Sequence, residues 1–114
     1  MEYANELIIC IVNNGFSEAV MDAAKAAGAR GGTVINARGT ADKEAEKFFG
    51  ISIQPEKEMV LILVETGIRD AVLHALYQSS GLGTPAQGLA FAVPVDKVVG
   101  LRKPKPDNKD AAQK

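Results

Sequence analysis

Two hexapeptides, LIICIV at residues 7–12 and MVLILV at residues 59–64, are apolar at every position. Both are too short for a helix with a core of its own and rich in Ile, Val and Leu, so they read as β-strands. Asn13, Asn14 and Gly15 end the first. A segment with helical period follows each. Phe16, Ala19, Val20, Ala23 and Ala27 form one set, and Ile68, Ala71, Val72, Ala75 and Leu76 the other. The spacing i, i+3, i+4, i+7 puts each set on one helical face.

An ungapped offset of 52 residues pairs Glu6 with Glu58, Val12 with Val64, Gly15 with Gly67, Ala19 with Ala71, Val20 with Val72 and Ala23 with Ala75. Structural equivalence of two β-α units is the economical reading. Each unit then closes in a further strand, GTVINA at 32–37 and GLAFAV at 88–93, with about four extra residues in the second helix-to-strand loop. Two such units in series give βαββαβ. Short connections favour an α+β, ferredoxin-like sandwich, an antiparallel sheet with both helices on one face. That layout creates a burial problem, because a half-exposed antiparallel strand should alternate and these do not. Each Ile or Leu left in water forfeits ~1.5–3 kcal/mol, and several rival a domain's net stability of ~5–15 kcal/mol. The second face therefore calls for another subunit.

The chain of 114 residues, 12.0 kDa, has room for one core. Its net charge of −1 provides no global attraction to nucleic acid or anionic membrane. Neither apolar run approaches the ~18 residues of a membrane span, and the start lacks a signal-peptide pattern. The expectation is a soluble cytoplasmic protein without direct membrane insertion. Cys10, the single cysteine, lies in an apolar run and reads as a buried, inert thiol.

Two segments fall outside the sheet. Residues 39–57 are mostly polar where a short hairpin would suffice, and long connections of this kind tend to be functional or mobile. Residues 103–114, rich in charge and proline, are expected to form a poorly ordered tail behind a domain spanning 1–102.

With these parts in place the chain resembles the P-II family of nitrogen-regulatory proteins over about residues 6–102. GTVINARG at 32–39 is the most specific match, resembling the family's Gly-x-Thr-Val followed, after two residues, by an apolar residue, a base and a glycine. The long T-loop (39–57), a glycine-containing B-loop (81–88) and VDKVVGLR at 95–102 continue it in order. The resemblance implies a cytoplasmic homotrimer engaged in signal transduction and nitrogen regulation. An adenine nucleotide would bind in each of three intersubunit clefts, and the T-loop would dock on a membrane transporter or metabolic enzyme. It also implies nucleotide-binding roles for Thr33, Arg38, Gly39, Gly81, Gly83, Thr84, Gln87, Gly88 and Arg102.

Departures from the family pattern are equally informative. Where family members carry Asp-Gly-Lys-Ile-Phe, this chain has QGLAF at 87–91, so Leu89 replaces the phosphate-contacting lysine. The family's Arg-x-Arg becomes Gly100, Leu101 and Arg102. A charge-assisted hydrogen bond is worth ~1.5–3 kcal/mol, so two lost bases remove most of the preference for a triphosphate. AMP or ADP is then favoured over ATP, with Arg38 and Arg102 as the main remaining cations. No tyrosine occurs within 39–57, which excludes uridylylation there; Phe48 and Phe49 stand in the loop as partner-docking candidates. The chain therefore looks like a divergent paralogue and not a central nitrogen regulator.

Plainer readings stay open beside these. Gly81, Gly83 and Gly88 either expose N–H groups to a phosphate or satisfy loop conformation. Arg38 either binds an anion or solvates the sheet rim. Phe48 and Phe49 either dock a partner or fold back on their own trimer. His74 is the only histidine and lacks partners at ligand spacing, so neither a metal site nor a catalytic set is expected. Three functions follow in order: a non-enzymatic nucleotide-responsive regulator, a constitutive trimeric interaction module with a degenerate nucleotide site, and a small ferredoxin-like enzyme.

Overall fold

A computed structural model of the chain describes residues 3–40 and 56–101. Its elements are β1 (Asn5–Asn13), α1 (Ser17–Ala26), β2 (Thr33–Arg38), β3 (Glu56–Glu65), a 3-10 turn (Thr66–Ile68), α2 (Arg69–Ser80) and β4 (Leu89–Val95). The four strands lie in the order β2-β3-β1-β4, antiparallel throughout, as expected for βαββαβ with helices on one face. The T-loop apart from residues 39–40 and 56–57, the tail, Phe48, Phe49 and Arg102 lie outside the described residues.

Period-2 alternation assigns the sheet faces. In β1, Glu6, Ile8, Cys10 and Val12 are buried beneath the helices, and in β3 so are Val60, Ile62 and Val64. Val20 and Ala24 of α1 and Val72 and Leu76 of α2 complete the core from above. Burial pushes the Cys10 thiol from 9.0 to about 11, as an inert core cysteine requires.

The repeat has a structural counterpart. Glu6 stands opposite Val64 and Val12 opposite Glu58, so the 52-residue exchange maps the β1–β3 ladder onto itself. The two glutamates then occupy matching posts. Glu58 Oε1 accepts hydrogen bonds from Gly15 N (3.1 Å) and Ser17 N (3.0 Å), capping α1, whose N-cap Phe16 has no side-chain acceptor. Glu6 meets Arg69, the equivalent of Ser17, at 2.5 Å at the start of α2. Each carboxylate also faces the positive end of the other unit's helix. Asp70, by hydrogen bond and charge, and then Glu6 hold the Arg69 guanidinium protonated even more firmly than usual.

Two details differ from the sequence-based expectation. Ala19 and Ala71, an equivalent pair, face solvent, while Ala24 is buried. The buried stripes instead follow i, i+4 steps, through Val20 and Ala24 in α1 and through Val72 and Leu76 in α2; an alanine has too little apolar surface to set a helix's rotation. The β2–β3 ladder also extends to the pairs Ala37–Lys57 and Arg38–Glu56, the last bringing opposite charges together across the strands.

The other sheet face is apolar and uncovered in one chain. It carries Leu7, Ile9 and Ile11 of β1, opposite Leu63, Leu61 and Met59 of β3 and Val93, Phe91 and Leu89 of β4. Leu89 and Phe91 are 61% and 42% exposed.

Candidate functional site

The B-loop packs on the end of β1. Asn13 N donates to Ala86 O (2.9 Å) and Asn13 Nδ2 to Pro85 O (3.0 Å), while Ala86 is buried in the core. Within the loop, Gly81 N donates to Tyr77 O, Thr84 N to Gly81 O, Gln87 N to Thr84 O and Gly88 N to Ser80 O, at 2.7–3.1 Å. The Thr84 hydroxyl also donates to Gly81 O (2.7 Å). Four of the loop's amides are thus engaged internally.

The loop glycines differ in what requires them. A Cβ on Gly88 would lie 2.2 Å from Ser80 O, and one on Gly81 would lie 2.6 Å from Tyr77 O; both are places where only a hydrogen fits. A Cβ on Gly83 would meet nothing within 4 Å. Backbone packing therefore accounts for Gly81 and Gly88, and Gly83 alone is left without a steric reason. Gln87, exposed, has φ +48, a left-handed conformation uncommon outside glycine.

Arg38, Gly39 and the B-loop share one end of the sheet, but they are not adjacent. β3 and β1 separate β2 from β4, and strands are spaced ~4.8 Å apart, so Arg38 lies three strand spacings, about 14 Å, from the B-loop exit. Thr33 lies farther along, opposite Leu61 on the uncovered face.

A cavity of about 740 Å³ opens at the opposite end, a site that the sequence reading missed. Residues 28–31, Glu65, Thr66 and Ile68 contribute to its walls, with Leu101 beside them. Its geometry is set by the end of α1. Gly28, at φ +113, lets Ala29 N reach Ala24 O (3.0 Å) and its own N reach Lys25 O (3.0 Å), turning the chain sharply out of the helix. Thr66 braces the far wall, its N–H donating to Ala4 O (2.9 Å) and its hydroxyl to Tyr3 O (2.5 Å). The available sequence signal was Gly28 closing an apolar helical stripe, with Gly31 and Gly32 behind it. The volume falls within the ~300–1,000 Å³ of small-molecule sites.

Nine residues of β1 separate the ends, roughly 27–30 Å at ~3.3 Å per residue. One chain cannot close both around a single small ligand. Among the described residues no three of His, Cys, Asp and Glu gather at metal-binding distance, and no helix is long and apolar enough to cross a membrane. His74 is exposed, its Nε2 3.5 Å from the Gln78 amide nitrogen.

Comparison with curated proteins gives no match. Among solved structures, that of Arabidopsis thaliana PII bound to citrate superposes with a TM-score of 0.63 at 21% identity, over 86% of this chain and 81% of the other, a likeness of fold. The family model for nitrogen regulatory protein P-II matches residues 5–105. The βαββαβ sheet and that near-complete match agree: the chain belongs to the P-II family, whose members are signalling regulators and not enzymes.

Proposed function

We propose that the protein is a homotrimeric cytoplasmic regulator that binds an adenine nucleotide between subunits and reports its presence to a partner protein through the T-loop. The uncovered apolar sheet face carries this reading. Leu89, Phe91 and Val93 on one edge strand and Ile35 on the other are all more than a third exposed in the isolated chain, a patch suited to copies of itself. Assembly through that face would also let the B-loop end of one copy approach the cavity end of the next. The B-loop end of one copy alone would leave a ligand open to solvent.

Gly83, Thr84 and Gln87 would then face the phosphates from one subunit, with Gly81 and Gly88 shaping the loop and Arg38, Gly39 and Arg102 supplying charge and backbone contacts. Thr33 would line the route between them. Leu89 in place of a base favours AMP or ADP over ATP. Phe48 and Phe49 would meet the partner, a transporter or metabolic enzyme. Such a switch requires only that the ligand bind two T-loop states with different affinity.

A second reading, a constitutive interaction trimer with a degenerate nucleotide site, is favoured by the four B-loop amides already engaged within the chain. Calorimetry with AMP, ADP and ATP separates the two. Micromolar AMP or ADP binding to a light-scattering trimer, lost in a monomeric Ile9→Glu variant, supports the regulator. A folded trimer that gives no heat with any of the three supports the constitutive module, and a stable wild-type monomer refutes both.

A further inference from the structure

Lys57 lies at the start of β3, in register between Ala37 of β2 and Asn13 of β1. It shares the alternation of Met59 and Leu61, which puts it on the rim of the uncovered face. Its Nζ donates to Asn13 Oδ1 at 2.7 Å, and the Asn13 amide nitrogen in turn donates to Pro85 O at 3.0 Å. Asn13 therefore holds the lysine on one side and the B-loop on the other, with its own N–H fixed on Ala86 O. The ammonium has three donors and Asn13 takes one, so among the described contacts two are left for an anion.

We propose that Lys57 is the cation that engages the phosphoryl end of a nucleotide at the B-loop, with Asn13 as its positioning residue; this rests on the nucleotide-binding reading above. Three observations favour Lys57 over the cation expected from sequence. Arg38 lies on the edge strand, one strand farther from the B-loop, and opposite the carboxylate-bearing Glu56. Its alternation, shared with Val34 and Asn36, puts it on the helix side of the sheet, whereas Lys57 is on the uncovered side where a neighbouring copy would close the cleft. The strand leaving the B-loop begins with Leu89, which has no charge to give. With four of the loop's seven amides engaged internally, an anion here gains from a side-chain cation, and the one tied by hydrogen bonds to this loop is Lys57.

The test uses the full-length protein and calorimetric titration with adenosine, AMP, ADP and pyrophosphate. Lys57→Gln is expected to weaken ADP and pyrophosphate binding about tenfold, the scale of one charge-assisted contact, while adenosine changes less than about twofold. Lys57→Arg keeps the charge and should stay within about threefold of wild type. Asn13→Ala should lower ADP affinity without lowering adenosine affinity, a split that general loosening of the loop would not produce. If Lys57→Gln fails to fold, the wild type still decides: ADP affinity must fall with salt more steeply than adenosine affinity, and Lys57 must be protected by ADP from amine-reactive labelling. Unchanged ADP binding by a folded Lys57→Gln, or no protection in wild type that binds ADP, overturns the role of Lys57 and leaves nucleotide binding intact. Wild type that binds none of the four ligands overturns both.

Discussion

Replacing Gly88 by alanine tests whether the B-loop glycines serve packing or phosphate binding. The added Cβ would lie 2.2 Å from Ser80 O and 3.0 Å from Val12 Cγ1, with Ser80 and Val12 both almost fully buried. Neither neighbour can swing away: one is a helix-terminal carbonyl and the other a core methyl. Relief requires the strand entering β4 to shift, which stretches the 2.7 Å bond from Gly88 N to Ser80 O. Overpacking costs ~1–3 kcal/mol and a weakened buried hydrogen bond ~0.5–1.5, so the expected loss is about 2–4 kcal/mol. In a domain of this size that lowers Tm on the order of 10–20 °C. Gly83→Ala is the control. Its Cβ meets nothing within 4 Å, so stability should change by less than ~0.5 kcal/mol. Urea and thermal melts at one fixed protein concentration give both numbers, because stability linked to assembly depends on concentration. A Gly88→Ala protein within ~0.5 kcal/mol of wild type would refute the packing account. If Gly83→Ala instead reduces nucleotide affinity at full stability, Gly83 is the glycine with the binding role.

Glu58→Ala removes the acceptor for two N–H groups at the start of α1 and should cost about 1–2 kcal/mol in a thermal melt, with Glu58→Gln losing about half as much. Phe48→Ser with Phe49→Ser should abolish capture of a partner while light scattering still reports the wild-type oligomer; unchanged capture moves the docking surface elsewhere. The Cys10 thiol, raised from 9.0 to about 11, contributes stability that is complete below pH 9 and lost as pH rises through about 11. Alkaline melts should therefore show a decline that Cys10→Ala lacks, approaching ~1.4 kcal/mol per unit of that shift. Equal slopes in the two proteins would mean that the thiol does not titrate with unfolding.

Most of the fold was legible because period and repetition are local signals. The two uniformly apolar hexapeptides became β1 and β3, the two central strands, each flanked by a neighbour on both sides. The 52-residue offset paired Glu6 with Glu58, each one residue ahead of its strand's apolar run, but their exchange as capping carboxylates arises only from the pairing of β1 with β3. What the pattern could not resolve was helix rotation. Ala19 and Ala71 fit the spacing but carry little apolar surface, so the larger Val20, Val72 and Leu76 decided which stripe faced the sheet. The candidate site was less legible. Arg38 and the B-loop were expected to serve one nucleotide site; they share one end of the sheet, yet strand order inserts β3 and β1 between them, and no sequence spacing reports that distance. Lys57 was read as part of a connection, although the ladder extends through it. Its partner Asn13 is 44 residues away in sequence, and the hydrogen bond that links them arises only from strand pairing.

The uncovered sheet face and the divided site are two aspects of one constraint. A ligand that touched only the B-loop end would be held by a rim of a few polar groups beside apolar surface, and would gain little from displacing water there. The cavity end offers enclosure but lies roughly 27–30 Å away along β1. The apolar face that carries Ile9, Leu61 and Phe91 is the one at whose rim Lys57 and Asn13 lie. Covering it with another copy brings a second chain's surface to that rim at no further cost in buried polar groups. Nucleotide affinity and oligomer stability should then be linked. Ligand bound between copies must raise the assembly's apparent stability by mass action, and assembly must in return raise ligand affinity by the same coupling factor. Measuring both in a weakened but still assembling variant, such as Phe91→Ala, tests that equality directly. Binding that stays at wild-type strength while the assembly falls apart would place the ligand within a single chain.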